Sequence, residues 1–127
     1  MPSFLRQARE REAIAAIDLG SNAMRASIAI KIPNGIEVIK NIRVPLRLGE
    51  DVFATGSISD EKMNTTEEAF IHLLHLFTEY NVTMATAKAT SAMRDSKNGM
   101  ELAERIYQST GIVIETISGL EEARMIY

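Results

Sequence analysis

Three short segments carry side chains suited to binding phosphate and activating water. In Ile17-Asp18-Leu19-Gly20-Ser21-Asn22 an apolar run ends in a carboxylate beside a glycine, so a strand feeds a tight loop. Backbone N–H groups of a loop built around Gly20, with the Ser21 hydroxyl and the Asn22 amide, can face an anion. Asp18 repels phosphate, so its chemical use there is to hold a divalent cation, directly or through water, that bridges to phosphate oxygens. An ordinary turn in which Asp and Gly serve backbone geometry fits the same residues. In Ala89-Thr90-Ser91-Ala92-Met93-Arg94-Asp95, Arg94 follows a predicted strand end, where a guanidinium can grip phosphate oxygens bidentately. A surface arginine paired with Asp95 is the plainer alternative. In Ser118-Gly119-Leu120-Glu121-Glu122-Ala123-Arg124, Glu121 completes a Ser-x-x-Glu capping box, leaving Glu122 on a different helix face to act as a general base toward water. A solvated acidic helix start accounts for the same pattern.

The elements that must position these residues follow from periodicity. A strand from Ala13 leads into the first loop, and Met24, Ala26, Ile28, Ile30 and Ile32 alternate with more polar neighbours in a second strand. Asn34-Gly35 predicts a two-residue hairpin with positive φ at both positions, and a third strand runs from about Ile36 to Val44, ended by Pro45. Ile36, Val38, Ile42 and Val44 share its apolar pattern. Residues 46–58, with Gly49, Glu50, Asp51 and Gly56, have the composition of a loop. Ser59 then caps a helix whose stripe is Met63, Phe70, Leu73, Leu74, Phe77 and Tyr80. His72 and His75 flank that stripe and read as surface residues rather than metal ligands. Val82 to Ala89 is a fourth strand with one face of small residues. Asn98 and Glu101 form a capping box for a helix with Leu102, Ala103, Ile106 and Tyr107 buried and Gly111 as its stop. Ile112 to Ile117 is a fifth strand, and a last helix opens at Ser118. The order βββαβαβα predicts an α/β domain with a mixed sheet and helices packed on it.

The chain has 127 residues, 46% of them hydrophobic and 24% charged, which suits one soluble globular domain with its own core. Its net charge of −3 lacks the basic footprint of a dedicated nucleic-acid binder, so an anionic ligand must be met by a local site. There is no cysteine, which excludes disulfides and thiolate metal sites and fits a cytoplasmic location. The first 12 residues alternate Arg and Glu without the apolar core of a secretory signal, and read as a flexible leader before a domain spanning 13–127. No apolar run approaches the roughly 18 residues of a membrane span, so no membrane partner is expected.

Taken jointly, the segments resemble the exopolyphosphatase and guanosine-pentaphosphate phosphohydrolase family, a branch of the acetate and sugar kinase, Hsp70 and actin superfamily. The resemblance runs through residues 16–22, Arg47-Leu48-Gly49-Glu50 with Ala54-Thr55-Gly56, residues 89–95, and residues 117–127. It implies a ribonuclease H-like domain paired with a second, similar domain across a cleft. It also implies that Asp18 to Asn22 form the first phosphate loop, that Arg94 binds and polarises phosphate, and that Glu122 activates the attacking water. Mg2+ or another divalent cation would neutralise the phosphate charge. The implied partners are polyphosphate or guanosine pentaphosphate and the second domain of the same protein, with a homodimer left open and no specific nucleic acid. Ala23 stands where the family usually has a hydroxyl, and Leu120 where a polar or acidic residue is common. The family's second glycine-rich phosphate loop does not occur before Tyr127, so the 127 residues are expected to be inactive alone. Two other readings remain at this stage: the first lobe of a kinase or actin-like ATPase, and a non-catalytic alarmone or polyphosphate sensor.

Overall fold

The computed structural model describes residues 12–120. Strands β1 (Ala13–Leu19), β2 (Met24–Ile32) and β3 (Gly35–Val44) form an antiparallel meander. Helices α1 (Leu48–Thr55) and α2 (Asp60–Glu79) follow, then β4 (Val82–Ala89), a short α3 (Ser91–Asp95), α4 (Gly99–Thr110) and β5 (Ile114–Thr116). The sheet order is β3-β2-β1-β4-β5, with β4 parallel to β1 and β5 parallel to β4. The expected mixed sheet is therefore present. The last predicted helix opens at Gly119 and Leu120, directly after Ser118 as expected, and its remainder, with the Glu121 cap, lies outside the described residues.

Alternation in β1 sends Ala13, Ala15, Ile17 and Leu19 to a buried face. They share one core cluster with Met24, Ala26 and Ile28 of β2, Ala87 and Ala89 of β4, Phe70, Leu73 and Phe77 of α2, and Leu102 and Ile106 of α4. Helix α2 begins where its sequence signals place it, because the Ser59 hydroxyl accepts the Lys62 N–H at 3.2 Å. His72 and His75 are exposed, as surface residues should be. Gly111 ends α4 at φ 76° and donates its N–H to the Tyr107 carbonyl at 2.8 Å.

Five expectations are corrected. The β2–β3 hairpin pairs Ile32 with Gly35, so its loop is Pro33-Asn34. Proline holds φ near −65°, which forbids the primed turn, and Gly35 at φ 142° takes the positive value instead. The β2–β3 register skips Ile39, between Ile28 opposite Lys40 and Ala29 opposite Val38. This bulge turns Ile42 and Val44 toward the helices but leaves Ile36 and Val38 more than half exposed on the other side, so the four do not share a face. Residues 48–55 form α1 rather than a loop, since Leu48 and Val52 are one helical turn apart and both buried. Asn98 is the N-cap residue of α4, but its side chain makes no cap bond. It clamps Ile58 instead, accepting the Ile58 N–H and donating to the Ile58 carbonyl, both at 2.9 Å. Finally, Tyr107 is 48% exposed, on the rim of α4 rather than in its buried stripe.

Candidate functional site

Because β1, β4 and β5 run parallel, their C-terminal ends lie side by side at one edge of the sheet, where open α/β sheets place ligands. Backbone hydrogen bonds extend the pairing beyond the strands. The Thr90 N–H donates to the Leu19 carbonyl at 3.2 Å, and the Ile117 N–H donates to the Ala89 carbonyl at 3.0 Å. The three segments singled out by their chemistry thus meet, as far as Ser118. Glu122, the expected general base, lies outside the described residues.

Asp18 is the penultimate residue of β1, in register with Arg25 of β2 and Lys88 of β4. Its side chain is half-buried, with Oδ1 shielded from solvent. Lys88 in turn pairs with Glu115 of β5 at 2.6 Å. Among the described residues, no group of three or more His, Asp or Glu is placed to hold a metal ion. Mg2+ needs only one or two carboxylates when waters and substrate phosphate complete its shell. Asp18 therefore suits a cation shared with a bound phosphate and does not suit a cage made of protein alone.

The loop after β1 is braced from two sides. The Gly20 N–H donates to the Ala23 carbonyl at 3.0 Å, so this amide closes the turn. A Cβ at Gly20 would lie 3.3 Å from that same carbonyl, so the glycine provides close approach rather than positive φ. The carbonyls of Ser21 and Asn22 accept the N–H groups of Gly49 (2.8 Å) and Arg47 (2.9 Å), which docks α1 under the loop. Ser21 and Ser91 then join the first loop to the second, their hydroxyl oxygens 2.8 Å apart. Ala23 is buried, so a hydroxyl at this position would brace the turn rather than reach a ligand from the open side.

Arg94 projects from α3. Its Nη1 donates to the Ile117 carbonyl at 3.1 Å and its Nε lies 3.4 Å from Asp95 Oδ1, with the side chain 30% exposed. Pairing with Asp95 and placement at the strand ends therefore coexist. The bond to Ile117 sets the guanidinium across the end of β5. At the far side of α1, Asp51 accepts hydrogen bonds from the Ser59 side chain and backbone, then from Lys62, and these hold its carboxyl below the ordinary carboxylate range. The Lys62 ammonium also donates to the Arg47 carbonyl at 2.5 Å, so the α1–α2 junction holds the segment that supports the loop.

Two contributors had not been assigned a role from sequence. Ser91 lies inside the segment that carries Arg94, and Gly49 lies inside a stretch with loop composition; nothing in residue type alone marks either as touching Ser21.

The comparison with known proteins bears on the fold and the family. The model of the Ppx/GppA phosphatase family matches residues 27–127. The chain superposes on the Aquifex aeolicus member of that family with a TM-score of 0.84 and 30% identity, over 89% of this chain and 37% of that one. An exopolyphosphatase-like protein matches with a TM-score of 0.81 and 32% identity, over 87% of this chain and 34% of that one. An exopolyphosphatase from Cytophaga hutchinsonii gives 0.85 and 26%, over 89% and 36%. The chain thus spans about a third of the length of these proteins. Its sheet is the ribonuclease H-like sheet that the family resemblance implied. A five-stranded mixed sheet of the same fold and a family match over most of the chain lead to one conclusion: this chain belongs to the Ppx/GppA phosphatase family.

Proposed function

We propose that this chain is the N-terminal domain of a phosphohydrolase that releases terminal phosphate from inorganic polyphosphate, guanosine pentaphosphate or both. The observation that carries the reading is the convergence of the loops after β1, β4 and β5, which brings Asp18, Ser21 and Arg94 to one sheet edge. The exopolyphosphatase relatives support the substrate class.

In this reading the loop from Gly20 to Asn22 and the Arg94 guanidinium orient a terminal phosphate. Glu122, which follows β5, takes the proton of the attacking water, and the shortened phosphate chain or nucleotide leaves. Asp18 holds Mg2+ or another divalent cation, whose contribution when bound is to offset phosphate charge. The second domain supplies the other half of the clamp, so the 127 residues bind phosphate weakly and turn it over poorly.

The test is phosphate release from polyphosphate and from guanosine pentaphosphate by the 127-residue chain and by the full-length protein that carries it. The full-length protein is expected to hydrolyse at least one of them and the 127 residues alone to be inactive. Full-length Glu122→Gln is expected to bind substrate but lose most turnover. Robust hydrolysis by the 127 residues refutes the half-clamp, and binding without hydrolysis by the full-length protein turns the reading into that of a sensor.

A further inference from the structure

We propose that Ser91 is a phosphate-contacting residue, and that Ser21 and Ser91 act as a single two-hydroxyl donor spanning the first and second loops. The inference rests on the phosphate-site reading above and names a residue that reading did not assign.

The 2.8 Å separation of the two oxygens is that of an ordinary O–H···O hydrogen bond, and either oxygen can be the donor. A serine hydroxyl brings one hydrogen and two acceptor sites. One hydrogen lies between the pair; with Ser21 donating it to Ser91, the Ser91 hydrogen remains for a ligand. A phosphate oxygen that takes this hydrogen ends a chain O–H···O–H···O⁻. Each bond in such a chain polarises the next, and the last is charge-assisted. Ser91 is well placed for this because the residue before it is fixed: Thr90 is buried and its N–H is bonded to the Leu19 carbonyl. That backbone bond, with the Ile117 bond to Ala89, already ties the strand ends together. The hydroxyl pair is therefore not required as a staple, and both side chains keep partial access to solvent.

The experiment follows backbone amide resonances of the 127-residue chain during titration with sodium tripolyphosphate in the presence of magnesium chloride. Tripolyphosphate is expected to shift the amides of Gly20, Ser21, Asn22 and Ser91. Ser91→Ala is expected to raise the Kd about tenfold, the effect of one charge-assisted hydrogen bond. Ser91→Thr, which keeps the hydroxyl, is expected to stay within about twofold of the unaltered chain. Because the pair presents one hydrogen, the Ser21→Ala/Ser91→Ala double variant should bind about as weakly as the weaker single variant. Shifts that persist in Ser91→Ala with an unchanged Kd overturn the assignment of Ser91 alone. Single effects that multiply in the double variant overturn the shared donor. Loss of the folded spectrum in Ser91→Ala also overturns the proposal, since the pair would then be a structural staple. No shift at any of these amides in the unaltered chain overturns the phosphate-site reading beneath it.

Discussion

Replacing Asn98 with aspartate distinguishes two jobs this residue could do, and the structure predicts the less conventional outcome. As a helix N-cap, Asn and Asp are nearly equivalent, and a carboxylate beside the positive end of α4 would if anything help. The observed geometry is different. Asn98 uses Nδ2 to donate to the Ile58 carbonyl and Oδ1 to accept the Ile58 N–H, both at 2.9 Å, across 40 residues of sequence. Ile58 is 2% exposed, so water cannot readily replace either partner. Alanine loses both bonds and leaves both Ile58 groups poorly satisfied, at a cost of about 2–3 kcal/mol. Aspartate keeps the acceptor but sets a second carboxylate oxygen against the Ile58 carbonyl, so its cost at neutral pH is also about 2 kcal/mol. With a urea m-value of about 2 kcal/mol/M for a chain of this size, either variant should lower the unfolding midpoint by roughly 1 M. Urea denaturation at pH 7 measures this directly. If Asn98→Asp unfolds with the unaltered chain while Asn98→Ala falls, the side chain is a cap and the clamp argument is wrong.

Four other substitutions follow from the same geometry. A Cβ at Gly49 would lie 3.0 Å from both Ser21 Cβ and Phe53 Cε2, so Gly49→Ala should gain about 1 kcal/mol of helix propensity and lose about 1–3 kcal/mol to overpacking. Since Phe53 is exposed and can swing away, the displacement falls on Ser21, and tripolyphosphate binding should weaken several-fold; unchanged binding in a titration would break the link between α1 and the loop. Glu67, hydrogen-bonded by Ser109 and then Arg105, is held below the ordinary carboxylate range, as is Asp51. A depressed carboxyl contributes stability above its unfolded pKa that disappears as pH falls through the folded one, so the loss lies below about pH 4. Glu67→Gln and Asp51→Asn should therefore start less stable at pH 7 and lose less on acidification in urea titrations; parallel curves would exclude these groups. Arg94→Lys keeps the charge but not the fork that reaches the Ile117 carbonyl, so calorimetry should show a folded chain binding tripolyphosphate about tenfold more weakly.

Much of the fold was legible because its signals are local. Alternation placed β2 and β4, the Ser59 cap and apolar stripe placed α2, and Gly111 placed the end of α4. The errors arise where another part of the molecule decides. Gly49 looks like a loop residue until the Ser21 carbonyl accepts its N–H, and Asn98 looks like a cap until Ile58 arrives from 40 residues away. Pro33 overrides the Asn-Gly turn from inside the hairpin, and the skip at Ile39 cannot be read from β3 alone. The placement of Asp18 and Arg94 at neighbouring strand ends was legible from residue type and pattern. The Ser21–Ser91 pair depends on the β1–β4 register and has no signature in either segment.

That register also sets when the site can exist. The β1–β2–β3 meander closes through short connections, whereas β1 meets β4 only after Ala13 finds Val82 and Ser21 finds Ser91, 70 residues further along. Non-local pairing pays its loop-closure entropy before contacts repay it, so it comes late in folding. A half-folded chain can carry an intact meander, and with it Asp18 and Gly20, while the second loop is still elsewhere. On the proposed reading, phosphate affinity should then appear last on the folding pathway, and Ser91 would report on completion of the sheet as well as on the ligand.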